Sequence, residues 1–284
     1  MCREMIAVAA RPWLVVDRPL LRRARRARSR ANGRGAAVAL SFRRMRRAVI
    51  LAGGLGTRLR PYTTVLPKPL MPVGDRPILD IVVRQLVRAQ FDRVTIATGY
   101  LAELIEVFFG DGARYGIPID YFREDEPLGT VGALSLIDGL EQDFLVMNGD
   151  VLTDLDYQAL FEHHLRGGQA ATIAAHTRKV EISLGVMRCE SGKDPTRITG
   201  YIEKPTITYE VSMGVYCFAP RVRAHIPVGG RLDFPDLVLR LIAAGELVRA
   251  WPSQDLWLDI GRSDDYELAQ NEFERLRERF LPED

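Results

Sequence analysis

A short apolar run near residue 50 ends in a cluster of glycines and is followed by two separated cations. The run spans residues 48–51, and the glycines are Gly53, Gly54 and Gly56. Arg58 comes next, and Lys68 lies between two prolines ten residues further on. A glycine-rich turn after a buried strand brings backbone N–H groups against phosphate oxygens, because no Cβ blocks the approach. Backbone donors and two fixed positive charges therefore predict a polyphosphate site.

Two familiar nucleotide-binding loops do not fit this stretch. A dinucleotide fingerprint requires glycine where this chain has Leu59, and a P-loop requires a Gly-Lys-Ser/Thr run, which the sequence lacks. Glycine-rich turns also follow strands in many unrelated proteins. The longer string GGLGTRLRPYT, followed by PKPLMPVGDRP, is far more specific, because several separate positions agree at once.

These strings resemble the signature of the sugar-1-phosphate nucleotidyltransferases, also called NDP-sugar pyrophosphorylases. The mannose-1-phosphate guanylyltransferases are closest in motif, and the resemblance covers about residues 45–275. It implies an enzyme whose partners are a nucleoside triphosphate (NTP) and a sugar 1-phosphate, and whose products are an NDP-sugar and pyrophosphate. It implies catalytic roles for Arg58 and Lys68. The residues of this loop that it assigns to the nucleotide are Leu51, Gly53, Gly54, Gly56 and Thr57.

Two aspartates each follow an apolar run. Asp150 follows the run Phe144–Met147 and an Asn-Gly pair, and Asp259 stands in the string WLDIG. Carboxylates at neighbouring strand ends commonly hold Mg²⁺, which keeps waters and takes substrate phosphates as its other ligands. A single aspartate in such a place is more often a solvated loop residue or a helix cap. The strings NGDVL and WLDIG resemble the two metal-binding motifs of the family, so we expect Asp150 and Asp259 to bind Mg²⁺ and Asp150 to be catalytic.

The resemblance also implies a subsite for the sugar phosphate. Glu203 and Lys204 follow Gly-Tyr-Ile in a string similar to the sugar-site motif of the family. It implies that Lys204 contacts the phosphate and Glu203 a sugar hydroxyl, with Gly185 and Ser212 in the same subsite. Many relatives have an Asn-Ala-Gly run where this chain has Ser212, so the identity of the sugar stays open. A surface ion pair before a turn is the alternative for Glu203 and Lys204.

The string EDEPLGTVGAL, residues 124–134, predicts the segment that binds the base. A helix is expected over 129–136, with Gly129 and Thr130 against the base. Glu124 lies where relatives place a side chain that reads the base edge. Guanine offers two adjacent donors that a carboxylate accepts together, whereas uracil and thymine offer one N–H between two carbonyls, which suits an amide. Glu124 therefore favours GTP over UTP or dTTP; the alternative is a loop glutamate facing water.

Apolar patterns alternate between strand and helix over the first part of the body. Strands are predicted over 94–97, 117–122 and 144–147, and helices over 78–89 and 101–109. After residue 157 the patterns become strand-rich, and a charged amphipathic helix covers 264–280. These patterns predict an α/β fold with a mixed, mostly parallel sheet and helices on both faces. The resemblance implies the Rossmann-like, glycosyltransferase-A-like type, in which ligands bind beyond the carboxyl ends of the strands.

Charge is distributed unevenly along the 284 residues. Residues 1–47 hold fourteen arginines against Glu4 and Asp17, whereas the remainder has a net charge of about −10, since the whole chain is +2. We expect residues 1–44 to be a disordered basic extension or an upstream start absent from the native protein. A transit peptide and an arm that binds nucleic acid or a membrane are the alternatives. Residues 45–284 are expected to form one nucleotidyltransferase domain.

The cysteines and the hydropathy pattern bear on the cellular location and partners of the protein. The three cysteines form no disulfide framework or zinc spacing, which fits a reducing cytoplasm. No apolar run reaches the length of a membrane span. We expect no nucleic-acid or membrane partner and a possible homo-oligomer.

The sequence therefore predicts a GTP-dependent mannose-1-phosphate guanylyltransferase as the first choice. A glucose-1-phosphate thymidylyl- or uridylyltransferase is the runner-up, and a heptose phosphate is a further possibility for the sugar. A non-catalytic regulatory paralogue that binds an NDP-sugar is the alternative of another class. Such a paralogue is expected to lack one or more of five charged residues, but all are present: Arg58, Lys68, Asp150, Lys204 and Asp259.

Overall fold

The computed structural model describes residues 45–190, 194 and 196–281, so the predicted basic extension over 1–44 lies outside the described residues. The strands are β1 (Arg47–Ala52), β2 (Pro72–Val73), β3 (Arg76–Pro77), β4 (Arg93–Thr98), β5 (Ile119–Arg123), β6 (Phe144–Asn148), β7 (Val151–Thr153), β8 (Ala171–Glu181), β9 (Val186–Cys189), β10 (Ile198–Ile202), β11 (Thr206–Phe218), β12 (Val248–Ser253) and β13 (Trp257–Asp259). The helices are α1 (Ile78–Arg88), α2 (Ala102–Phe109), α3 (Tyr157–Gly167), α4 (Phe234–Ala243) and α5 (Ser263–Phe280).

Seven strands form one central sheet in the order β12-β8-β11-β6-β1-β4-β5. β1 pairs in parallel with β4 and β6, and its Val49 and Ile50 are completely buried. Nearly continuous apolar strands of this kind are typical of a sheet covered on both faces. β11 runs antiparallel to its neighbours β6 and β8, whereas the other pairs in the sheet are parallel. The expected mixed, mostly parallel α/β sheet is confirmed.

Alternate residues of β1 belong to two hydrophobic cores on opposite faces of the sheet. Ala48 and Ile50 pack in the core that contains apolar side chains of α1, α2 and α3. Val49 packs in the core that contains Leu237 and Leu241 of α4. The predicted apolar face of α1 is fully buried in the first core: Leu79, Val82, Val83 and Leu86. Helices therefore cover both faces, as the sequence pattern indicates.

A third core attaches α5 to the segment that follows the glycine loop. Phe273 and Phe280 of α5 pack with Leu59 and Met71. The side chain of Gln270 accepts the Gly74 N–H at 2.8 Å. The helix thereby holds the chain between the loop and α1 in place. None of the helices in the described residues combines the length and the apolar character that a membrane span requires.

The helix expected over 129–136 is wrong. Residues 129–131 form a turn, and a short 3-10 helix follows over Gly132–Ser135. The Val131 N–H donates to the Leu232 carbonyl at 3.1 Å, and the Leu232 N–H donates to the Leu128 carbonyl at 2.9 Å. Because these backbone groups pair with a distant segment, an α-helical ladder does not form there.

Candidate active site

A cavity of about 500 Å³ lies at the edge of the sheet where β1, β5 and β6 end. This volume is within the range of small-molecule sites. The cavity is lined by all of the residues predicted to bind nucleotide and by the three predicted catalytic residues: Leu51, Gly53, Gly54, Gly56, Thr57, Arg58, Lys68, Glu124, Gly129, Thr130 and Asp150. Asn148, Gly149, Asp233 and Gly261 are among the further lining residues.

One side chain holds the glycine loop in its bent form. The hydroxyl of Thr63 donates to the Gly56 carbonyl at 2.8 Å. Gly56 has a φ of 59°, in the left-handed region, and a Cβ there would lie 2.9 Å from Thr63 Cγ2. Glycine is therefore required at 56. A Cβ at Gly54 would meet nothing within 4 Å, which leaves open space beside this part of the cavity wall.

The register of the sheet brings Asp150 next to Lys68. Leu51 pairs with Asn148 across β1 and β6, and the Gly149 N–H donates to the Leu51 carbonyl at 2.9 Å. Oδ2 of Asp150 forms an ion pair with Nζ of Lys68, and the two side chains are 26% and 14% exposed. Oδ1 of Asp150 is buried and has no hydrogen-bond partner among the described residues. It therefore retains its capacity to bind a ligand.

Asp259 reaches the same place from a separate two-stranded sheet, not from a neighbouring strand of the central sheet. β13 pairs with β7, and the Ile260 N–H donates to the Asp150 carbonyl at 3.2 Å. Asp259 is not one of the lining residues of the cavity, although its charge interacts with those of the lining groups. Desolvation and the negative charge of Asp150 raise the pKa of Asp259, although two nearby cations oppose the shift. A divalent cation would relieve the repulsion between these carboxylates.

Arg58 is exposed and lines the cavity without an ion-pair partner among the described residues. Its Nη1 lies 3.9 Å from the position that a Cβ on Gly261 would take, and Asp259 Oδ2 lies 4.0 Å from that position. Arg58 and Asp259 therefore face the same small space beside Gly261. An unpaired guanidinium there suits a phosphate, which it can bind in a bidentate manner.

Glu124 lies on the wall near Gly53. Its N–H donates to the Thr98 carbonyl at 2.9 Å, which anchors the residue where β4 and β5 end. A Cβ on Gly53 would lie 3.5 Å from Glu124 Oε2. Burial raises the pKa of Glu124, and a long hydrogen bond from the Leu128 N–H, at 3.4 Å, opposes the shift. A half-buried carboxylate with one weak partner retains acceptor capacity for a ligand.

Gly129 and Thr130 are held by the segment that precedes α4. The Thr130 N–H donates to Asp233 Oδ1 at 3.1 Å, and the Phe234 N–H donates to Thr130 Oγ1 at 2.6 Å. Gly129 has a φ of 77°, and a Cβ there would lie 2.6 Å from the Leu232 carbonyl oxygen. Asp233 is absent from the residues that the sequence predicts for the site. Its Asp-Phe-Pro string is a helix-start signal, which by itself does not indicate a cavity.

The four residues predicted to bind the sugar phosphate do not line this cavity. Gly185, Glu203 and Lys204 lie on a β-arm, which we define as β9 and β10, the outer segments of β8 (from Arg178) and β11 (to Val211), and the turns between them. The Tyr201 hydroxyl donates to Glu203 Oε2 at 3.2 Å. A Cβ on Gly185 would overlap that hydroxyl. The structure thus brings Gly185 and Glu203 together.

Lys204 and Ser212 lie in different surroundings. Lys204 is exposed and has a φ of 45°, a left-handed conformation that is costly for a residue with a Cβ. Ser212 is exposed on β11, and its Oγ lies 3.2 Å from the Tyr216 hydroxyl. Burial and the charges of Asp150 and Asp259 raise the pKa of Tyr216. Ser212 therefore contacts a tyrosine whose hydroxyl is influenced by the charges of Asp150 and Asp259.

Comparison with known proteins agrees with this geometry. A family profile described as Nucleotidyl transferase matches residues 47–275. The UTP–glucose-1-phosphate uridylyltransferase of Synechocystis sp. is 34% identical over 240 residues, which cover 78% of this chain and 61% of the relative. The mannose-1-phosphate guanylyltransferase catalytic subunit beta of Danio rerio is 34% identical over 227 residues, with 78% and 62% covered.

A solved structure shares the fold at similar coverage. HddC from Yersinia pseudotuberculosis, complexed with GMP-PN, has a TM-score of 0.60 and 25% identity to this chain. The similarity covers 81% of this chain and 100% of that structure. By contrast, the chain spans only 61% and 62% of the lengths of the two curated relatives.

Proposed function

Because the chain belongs to the nucleotidyl transferase family, we propose that it transfers a nucleoside monophosphate from an NTP to a sugar 1-phosphate and releases pyrophosphate. The observation that carries this proposal is the convergence of Arg58, Lys68 and Asp150 on one cavity beside the glycine loop. Two cations and backbone N–H donors suit the negatively charged oxygens of a triphosphate.

The reaction is an in-line displacement at phosphorus. An oxygen of the sugar phosphate forms a bond to the α-phosphorus while the bond to the bridging oxygen of pyrophosphate breaks, and the electron pair leaves with pyrophosphate. The attacking phosphate is already ionised near neutral pH, so no general base is required. This agrees with the described residues that line the cavity, none of which is a histidine.

The charged side chains have separate roles in this mechanism. Arg58 stabilises the negative charge that develops on the leaving pyrophosphate. Lys68 holds the nucleotide phosphates and the incoming phosphate, and its ion pair with Asp150 fixes its position. Charges that are already in place stabilise a transition state without the cost of reorganisation.

Asp150 and Asp259 fit Mg²⁺. Oδ1 of Asp150 is buried without a partner among the described residues, and burial together with the charge of Asp150 raises the pKa of Asp259. The described residues contain no group of three or more acidic, histidine or cysteine side chains that could hold a metal alone. Mg²⁺ suits the smaller set, because it commonly takes one or two carboxylates together with substrate phosphates. When bound, it would neutralise charge on the α-phosphate as a Lewis acid.

Glu124 supports GTP as the nucleotide. Its half-buried carboxylate lies beside Gly53 and retains acceptors for the two adjacent donors of guanine. The Danio rerio relative is named a guanylyltransferase, and the HddC structure is a complex with GMP-PN. The Synechocystis relative, a uridylyltransferase, is equally similar at 34% identity, so UTP or dTTP with glucose 1-phosphate is the second candidate.

Mannose 1-phosphate is the sugar substrate that we favour, in line with the name of the Danio rerio relative. Glu203, beside Gly185, would accept a sugar hydroxyl, and Lys204 would contact the phosphate. Ser212 follows the arm along β11 and would contribute a short hydroxyl to the same subsite.

The location that we propose is the cytoplasm. Cys189 and Cys217 are free thiols, which supports it.

The test is pyrophosphate release by the full chain with Mg²⁺. GTP, dTTP, UTP, ATP and CTP would each be offered with mannose 1-phosphate and with glucose 1-phosphate. We expect the highest kcat/KM for GTP with mannose 1-phosphate. A preference for UTP or dTTP would retain the enzyme class and contradict the role of Glu124. Binding of NDP-sugars with no release for any pair would contradict the proposed activity.

A further inference from the structure

Asp233 places a carboxylate in the cavity wall, and the phosphoryl transfer proposed above does not use it. The residue directly precedes α4, and its side chain is 43% exposed. An aspartate in this position usually caps its own helix by accepting an N–H of the first turn. Asp233 makes no such bond. Its carboxylate therefore lacks the usual structural role of an aspartate at a helix start.

Thr130 takes over that role from the opposite loop. The Phe234 N–H at the start of α4 donates to Thr130 Oγ1 at 2.6 Å. In return, Oδ1 of Asp233 accepts the Thr130 N–H at 3.1 Å. Oδ2 of Asp233 lies 3.8 Å from Arg231 Nη2. A carboxylate has about four acceptor positions, so unused acceptor capacity remains beside the cavity.

The position of Asp233 restricts what it can accept. On one side it touches Thr130, in the loop that we assign to the base. On the other, Phe234 stacks on Tyr216 with ring centroids 3.7 Å apart, and the Tyr216 hydroxyl approaches Ser212. Asp233 therefore lies between the base loop and the strand expected to bind the sugar.

A carboxylate at that place repels phosphates, so among the groups of the proposed ligands it suits a neutral hydrogen-bond donor. The ribose of the nucleotide and the hexose ring both carry hydroxyls, and either ring belongs between the base and the sugar strand. We propose that Asp233 is a specificity-determining residue that accepts a hydrogen bond from a sugar-ring hydroxyl of the bound nucleotide or NDP-sugar. The identity of the ligand rests on the proposed function, whereas the acceptor rests on the geometry of the cavity wall.

A double-mutant type of cycle tests this inference: one arm removes the Asp233 carboxylate and the other removes a single hydroxyl of the ligand. Binding is measured by calorimetry, which requires no turnover. The ligands are GTP and UTP with their 2′-deoxy and 3′-deoxy forms, and GDP-mannose and UDP-glucose with their singly deoxygenated hexose forms. The proteins are the wild type, Asp233→Ala, Asp233→Asn and Asp236→Asn. Asp236 is an exposed residue in the first turn of the same helix and does not line the cavity, so it is the matched control.

We expect the wild type to bind one deoxy ligand roughly 10- to 100-fold more weakly than its parent, the scale of a hydrogen bond to a charged group. In Asp233→Ala this penalty should fall below about twofold, and Asp236→Asn should retain the full penalty. Asp233→Asn keeps an oxygen for the Thr130 N–H, so it should fold normally and show an intermediate penalty. A nucleotide-side effect would identify the ribose as the partner, and a hexose-side effect would identify the transferred sugar.

An equal penalty in the wild type and in both Asp233 variants, for every hydroxyl, would overturn the inference and leave Asp233 a purely structural residue. Failure of the wild type to bind any of these ligands would overturn both proposals. The protein could show a loss of affinity for a deoxy ligand that disappears in Asp233→Ala, yet release no pyrophosphate. That result would support Asp233 as the hydroxyl acceptor and contradict only the enzymatic activity.

Discussion

The cavity and the β-arm present charged residues in opposite ways. In the cavity, Lys68 and Asp150 are paired and their side chains are only 14% and 26% exposed. On the β-arm, Glu203 and Lys204 are exposed, and nearby Tyr201 is 61% exposed. Asp150 follows β6 of the seven-stranded sheet, whereas β9 and β10 form a two-stranded sheet of their own. The two sets of residues therefore differ in how firmly the fold holds them.

Under the proposed function, the cavity stabilises the transition state and the β-arm binds the sugar 1-phosphate. Fixed, partly desolvated charges stabilise a transition state effectively, because they do not reorganise during the reaction. Exposed charges interact more weakly, since water and salt screen them. We therefore expect substitutions in the cavity to lower kcat and substitutions on the β-arm mainly to raise KM for the sugar 1-phosphate.

Asp150→Asn should have the largest effect. The substitution removes the charge that pairs with Lys68 and one of the two carboxylates that fit Mg²⁺. Loss of several kcal/mol of transition-state stabilisation should lower kcat by more than roughly 10³-fold. Steady-state pyrophosphate release with varied Mg²⁺ measures this, with Asp264→Asn, a substitution of an exposed residue of α5, as the control. Retained Mg²⁺-dependent turnover would remove Asp150 from the metal site.

Arg58→Ala should have the second-largest effect on kcat. The guanidinium has no ion-pair partner among the described residues, so its loss leaves no unpaired carboxylate behind. We expect kcat to fall by roughly 10²- to 10³-fold, the scale for one donor to developing charge. Arg60→Ala is the matched control, because Arg60 is exposed, lies two residues away and does not line the cavity. Near-normal turnover of Arg58→Ala would contradict its role in the cavity.

Glu124→Gln should change nucleotide choice more than rate. An amide cannot accept both guanine donors, but it can pair with the imide edge of uracil or thymine. The ratio of kcat/KM for GTP to that for UTP should fall roughly 10- to 100-fold, within the usual discrimination of one bidentate pair. Glu126→Gln, an exposed residue of the same loop, is the control. An unchanged ratio would show that Glu124 does not read the base.

The pH dependence of the GTP preference is a second test of the role of Glu124. Burial raises the pKa of Glu124 above that of an ordinary glutamate. The ionised form accepts from guanine, so the GTP preference should be complete above that raised pKa and should decline as the pH falls through it. Glu124→Gln should show no such decline. A flat GTP-to-UTP ratio in the wild type across acidic pH would contradict this prediction.

Lys204→Ala should have the smallest effect on catalysis. An exposed ammonium on the β-arm contributes binding energy to the sugar phosphate, so KM for the sugar 1-phosphate should rise roughly tenfold. KM for the NTP should stay within about twofold, because the proposed nucleotide site is in the cavity and not on the β-arm. Lys179→Ala, on the β8 segment of the same arm, is the control. A large loss of kcat with unchanged KM would remove the distinction between arm and cavity.

Much of the fold and most of the residues that line the cavity could be predicted, because they lie in short, locally recognisable stretches of sequence. The strand at 48–51, the helix at 78–89 and the strand at 144–147 follow from apolar runs or spacing within a few residues. The predicted helix over 129–136 is wrong because the Thr130 N–H donates to Asp233 Oδ1 and the Val131 N–H to the Leu232 carbonyl instead. β12 and β7 are absent from the sequence prediction, since β12 is partly exposed and β7 is only three residues long.

The sequence by itself determined the family signature, the cations at 58 and 68 and the alternation that builds the sheet, because each is written in neighbouring residues. Only the tertiary structure decided how distant parts of the chain meet. The β7–β13 pair carries Asp259 to Asp150, and Thr130 caps α4 in place of Asp233. The hydrogen bond between Thr130 and Asp233 joins residues 103 positions apart. Such contacts depend on strand register and on which side-chain acceptor reaches the N–H groups at a helix start, and no local pattern encodes either.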